Sequence, residues 1–109
     1  MKLVIAIVQD DDASDLIDEI TEDGFRVTKL ATTGGFLKAG NTTLMIGVEE
    51  KDVDKLIKKI EDICKTRKQI VTSASPVTGS AGMYVSYPIE VQVGGATIFV
   101  VDVDKFVRV

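Results

Sequence analysis

The chain has 109 residues, 45% of them apolar, two prolines and a net charge of −4, which describes one globular domain over residues 1–109 and excludes a disordered chain. Its sequence pI of about 4.7 lacks the basic balance of a non-specific nucleic-acid binder. With no histidine and Cys64 as the single cysteine, Ser-His and Cys-His dyads, Cys/His zinc sites and an intrachain disulfide are excluded.

Leu3 to Gln9 is almost continuously apolar, as in a central strand covered on at least one face. The apolar run Leu3 to Val8 is too short for a signal-peptide core or a transmembrane helix, so a cytoplasmic protein is expected. Asp10, Asp11 and Asp12 follow where a helix should begin. They are predicted to cap it and complement its dipole. A metal site is disfavoured because no further ligands follow at calcium-loop spacing. Ala13, Leu16, Ile17 and Ile20 form the apolar stripe of the first helix, which Gly24 ends as a C-cap with Phe25 packed back on the last turn.

Phe25 to Leu30 reads as a strand whose period of two puts Arg26 and Thr28 side by side on one face. A guanidinium fork beside a hydroxyl suits a phosphate oxygen. The next stretch holds Gly34, Gly35 and Gly40, which permit positive φ and close approach to a ligand, and successive N–H groups there can form an anion-binding nest. Asn41 offers a carboxamide able to read a base edge. Thr42, Leu44, Ile46 and Val48 then alternate with Thr43, Met45 and Gly47 as a third strand, in which Gly47 leaves a flat gap for a ring.

Glu49 and Glu50 favour the start of a second helix, whose stripe is Val53, Leu56, Ile57, Ile60, Ile63 and Cys64. Cys64 reads as a small buried core residue. Asp54 to Lys58 and Glu61 to Lys65 are spaced as i, i+4 pairs, and the basic residues from Lys55 to Lys68 read as a solvated face rather than a membrane patch. Gln69 to Thr72 is predicted as a short strand and Ser73 to Tyr87 as a long loop, functional or mobile. Ile89 to Val93 and Ala96 to Val101 are expected to pair as a hairpin about Gly94-Gly95. The tail, Val103 to Val109, is expected to reach a neighbouring subunit. This order gives an α+β, ferredoxin-like (split βαβ) fold, an antiparallel sheet with both helices on one face. The apolar residues of the other face need cover, and oligomerisation is the simplest.

The run Ala31-Thr32-Thr33-Gly34-Gly35-Phe36-Leu37, followed by Ala39-Gly40-Asn41-Thr42-Thr43, resembles the PII-like cyclic di-AMP receptor proteins of Gram-positive bacteria. The likeness extends to Lys2 to Asp10, to Tyr87-Pro88-Ile89-Glu90-Val91 and to Val93 to Val100. It implies a PII-like homotrimer with ligand clefts between adjacent subunits, and a non-enzymatic signal-transduction role. It further implies that Arg26 and Thr28 bind phosphate with help from the backbone of Gly35 and Phe36, that Phe36 and Leu37 wall an adenine, and that Asn41 and Gly47 read its edge. Phe99 and the C-terminal segment would contribute from a neighbour, with Arg108 standing where the family tends to carry Gln. Ligand phosphates would order the segment from Thr32 to Asn41, and with it the one from Ser73 to Tyr87, changing a surface offered to an unidentified protein partner.

No catalytic, metal or cofactor site, no nucleic-acid polymer and no membrane is expected. The alternative is a PII-like sensor of ATP or another adenine nucleotide. An enzyme using Asp10 to Asp12 suffers from the lack of His and of a convincing carboxylate pair. An RNA-binding module lacks the aromatic strand signature.

Overall fold

The structure, a computed structural model, describes residues 1–30, 40–76 and 84–109, with side chains described except at 71–76 and 84–87. Six strands and two α-helices follow one another as β1 (Lys2–Gln9), α1 (Asp10–Glu22), β2 (Arg26–Leu30), β3 (Asn41–Val48), α2 (Val53–Cys64), β4 (Arg67–Pro76), β5 (Tyr84–Val93) and β6 (Ala96–Asp102), with a single 3₁₀ turn, Glu50–Asp52, leading into α2.

The main sheet is antiparallel with strand order β2-β3-β1-β6. One face of it is built from the even-numbered residues Val4, Ala6 and Val8 of β1 and Leu44, Ile46 and Val48 of β3, all buried. They pack with Ala13, Leu16 and Ile20 of α1 and Leu56, Ile60 and Cys64 of α2 in one core cluster. Both helices therefore lie on this face, the ferredoxin-like arrangement expected from the order of elements. The Schellman geometry that closes α1 explains how β2 enters the sheet: Gly24, at φ +92°, donates to the Thr21 carbonyl, and Phe25 donates to that of Ile20, each at 3.0 Å.

The last third of the chain differs from the sequence reading. Gln69 to Thr72 is not the fourth strand of the sheet; it belongs to β4, which pairs along its whole length with β5 in a separate two-stranded ribbon. Much of the expected Ser73 to Tyr87 loop is strand, at residues 73–76 and 84–87, and its centre, residues 77–83, lies outside the described residues. Gly94-Gly95 does not close a hairpin either. Their φ values of +84° and +96° redirect the chain from the ribbon to the main sheet, where β6 pairs with β1 from Val8↔Ala96 to Lys2↔Asp102. Alternation alone could not distinguish these partners, because β6 is equally regular against β5 or β1.

The turn between the two sheets is tied down by its backbone. Gly94 N–H donates to Gln9 Oε1 at 2.7 Å, and Gly95 N–H donates to the Cys64 carbonyl. The three aspartates lie in the first turn of α1, where they complement its dipole as expected, but the capping part of the prediction fails: Gln9 occupies the N-cap and its side chain makes no capping hydrogen bond. Asp10 accepts a hydrogen bond from the Thr42 hydroxyl, and Asp12 is buried against Arg67. On α2, Lys58 pairs with Asp62 rather than Asp54.

Candidate functional site

Neither described helix lies on the other face of the main sheet, and its side chains form rows set by the register. Arg26 lies opposite Gly47, Gly47 opposite Leu3, and Leu3 opposite Val101. In the next row Thr28, Met45, Ile5 and Phe99 stand side by side. Directly opposed residues share a face, so the guanidinium and hydroxyl are neighbours, as the period of two predicted. A Cβ placed on Gly47 would meet nothing within 4 Å. The gap expected in β3 is therefore real, and it sits between Arg26 and Leu3.

This end of the sheet opens onto a cavity of about 770 Å³, within the size range of small-molecule sites. Leu3, Arg26, Thr28, Met45 and Gly47 form its strand wall; Asp23, Gly24 and Phe25 enter from the α1–β2 turn; Glu49, Asp52 and Lys55 enter from the approach to α2 and its first turn. The C-terminal segment supplies Val103, Phe106 and Arg108, brought there by the Val103 N–H, which donates to the Met1 carbonyl at 3.2 Å. The tail thus walls a cavity of its own chain, which the sequence reading had not anticipated.

The wall carries both signs of charge. Among the described residues, neither Arg26 nor Arg108 has a carboxylate within ion-pair distance. Asp23 accepts from Lys59 of α2 at 3.3 Å, and that hydrogen bond, with a second that Lys59 donates to Glu19, raises the Lys59 ammonium above its ordinary pKa. A guanidinium beside a hydroxyl and a bare stretch of strand can take up a phosphate oxygen and a flat ring together.

Of the residues named from the sequence, Arg26, Thr28 and Gly47 come together here. Asn41 does not join them. It opens β3 opposite Gln9, six residues from Gly47 and so about 20 Å away at the rise of a strand. Gly35, Phe36 and Leu37 lie outside the described residues. Phe99 is half exposed in the row of Thr28, and Arg108 lies on the cavity wall. The sequence reading did not single out Phe25 or Lys55 for this cavity, and it placed Phe106 only within the C-terminal segment expected to reach a neighbour. The C-cap glycine, which turns Phe25 toward β2, was the one signal that pointed this way.

Among the described residues no group of three or more Asp, Glu, Cys or His side chains could hold a metal ion, and no described helix is long and apolar enough to cross a membrane. The model of the cyclic-di-AMP receptor family matches residues 1–109, the whole chain. The crystal structure of a functionally unknown protein from Pediococcus pentosaceus is similar in fold, with a TM-score of 0.77 and 48% sequence identity, over 99% of this chain and 96% of that one. The chain therefore belongs to the cyclic-di-AMP receptor family, and is a PII-like receptor that binds cyclic di-AMP.

Proposed function

We propose that cyclic di-AMP binds where Arg26, Thr28 and Gly47 meet, with Arg26 and Thr28 on a phosphate and an adenine lying over the gap at Gly47. The observation that carries this reading is the Arg26–Gly47–Leu3 row, which puts a cation without an ion-pair partner among the described residues beside the bare position at Gly47. Gly35, Phe36, Leu37 and Asn41 complete the site in this reading, the first two through backbone N–H groups, Phe36 and Leu37 as an adenine wall, and Asn41 on a base edge.

The receptor works as a homotrimer with its clefts between subunits. Two observations support this: Leu3, Ile5, Ile7, Met45, Phe99 and Val101 leave an apolar sheet face without helix cover, and Asn41 is too far from Gly47 to serve the same ligand end within one chain. Cover of such a face by further copies removes apolar area from water. The protein acts by binding rather than catalysis, in the cytoplasm. Ligand phosphates order the segment from Thr32 to Asn41, and this ordering alters a surface read by a protein partner.

The test is Arg26→Ala. Loss of a charge-assisted phosphate contact weakens binding by about 1.5–3 kcal/mol, while the mass in sedimentation stays at three times the 11.8 kDa chain mass. Unchanged affinity, or dissociation of the assembly, contradicts the assignment.

A further inference from the structure

The basic residues of α2 read from sequence as one solvated face, but they divide into two groups. Lys58 lies 3.4 Å from Asp62, and Lys59 lies 3.3 Å from both Glu19 and Asp23. Their charges are already answered within the chain. Lys55 forms no ion pair with a described residue. Its Nζ stands over the Phe25 ring, 6.0 Å from the centroid, at the outer reach of a cation–π contact. Lys55 and Phe25 line the same cavity as Arg26 and Gly47.

Three carboxylates, Asp23, Glu49 and Asp52, line the cavity with the cations Arg26, Lys55 and Arg108 and with Met1. Asp23 shares the Lys59 ammonium with Glu19. Without Lys55 the side chains of the wall would carry more negative than positive charge, so its ammonium offsets their repulsion of an anion entering the cleft. Phe25 is itself held by its N–H bond to the Ile20 carbonyl, so the ammonium is partly placed before a ligand arrives, which lowers the cost of ordering it.

We propose that Lys55 is a ligand-binding residue of this cleft, its ammonium contacting a phosphate oxygen of the cyclic dinucleotide. The proposal rests on the reading that cyclic di-AMP occupies the cavity at Arg26 and Gly47.

Lys55→Met keeps an unbranched stem over the Phe25 ring and removes the charge. The experiment is a calorimetric titration with cyclic di-AMP of the wild type, Lys55→Met, Lys58→Met and Arg26→Ala, at low and at physiological salt, with each melting temperature recorded. The expected result is a dissociation constant raised about three- to tenfold in Lys55→Met, the range of a partly exposed charged contact, with a shallower salt dependence and an unchanged melting temperature. Lys58→Met should bind as the wild type does. Wild-type affinity and salt dependence in Lys55→Met overturn the proposal, as does an equal loss in Lys58→Met, which would mark a bulk charge effect. If Arg26→Ala also binds normally, the ligand does not use this cleft and the underlying reading falls too; weakened Arg26→Ala beside normal Lys55→Met refutes the role of Lys55 alone.

Discussion

Arg67 Nη2 lies 2.7 Å from Asp12 Oδ1, joining the first residue of the β4–β5 ribbon to the first turn of α1. Asp12 is buried, Arg67 only partly so, and the hydrogen bond to Asp12 is the main cause of the raised Arg67 pKa. The same guanidinium donates to the Lys65 carbonyl at 3.2 Å. Removing Arg67 leaves the Asp12 carboxylate buried without its partner, the costly direction for such a pair. Arg67→Ala should therefore lower the melting temperature more than Asp12→Ala does, and the double variant should lose less than the two single losses added together. Additive losses in a thermal denaturation cycle would show that the pair is not coupled.

Gly94 tests how closely the junction between the sheets is built. It sits at φ +84°, and a Cβ there would lie 2.5 Å from the Lys65 carbonyl oxygen and 2.7 Å from Arg67 Nη1. Gly94→Ala should destabilise the fold by about 1–3 kcal/mol through backbone strain alone, read as a lower midpoint in urea. Gly95→Ala meets only the Thr66 hydroxyl, at 3.3 Å, and should cost less. Equal losses would indicate that the close approach at Gly94 is relieved.

These two residues also show where sequence reasoning stops. Both helices and the Arg26/Thr28 face were legible because one-sided burial stamps a period on each, and β1 because its apolar run is almost unbroken. Alternation does not name a strand's partner, so β6 was paired with the neighbouring β5 when it completes the main sheet beside β1. The aspartates were read by helix-end chemistry, but Asp10 and Asp12 answer to Thr42 and Arg67, 32 and 55 residues away in sequence. The cavity combines residues from Met1 to Arg108. No local pattern contains such a set; the spacing pointed to Arg26, Thr28 and Gly47, and the family resemblance to Arg108.

Gly47 should accept a side chain without harm to the fold, since a Cβ there meets nothing within 4 Å. A leucine at this place would fill the gap between Arg26 and Leu3. Gly47→Leu is expected to keep a wild-type melting temperature and to lose cyclic di-AMP binding in a calorimetric titration. Retained affinity would remove Gly47 from the site.

Cys64 provides a prediction on the core side. Burial pushes its thiol up to about 11 from an ordinary value of 9.0. The unfolded chain therefore releases this proton before the folded one does. Its contribution to stability is complete below pH 9 and is lost as pH rises toward 11. A Cys64→Ala variant starts from lower stability because of the cavity, but its urea midpoint should fall less steeply across that interval. Parallel curves for the two proteins would show that the thiol is not the titrating group.

The most direct measurement is a calorimetric titration of the wild-type chain and Arg26→Ala with cyclic di-AMP, with cyclic di-GMP and ATP alongside. The account predicts selective binding of cyclic di-AMP at one ligand per chain, and a tenfold or greater loss in Arg26→Ala, as expected for a charged contact worth about 1.5–3 kcal/mol. Preference for ATP, or full affinity in Arg26→Ala, would contradict it.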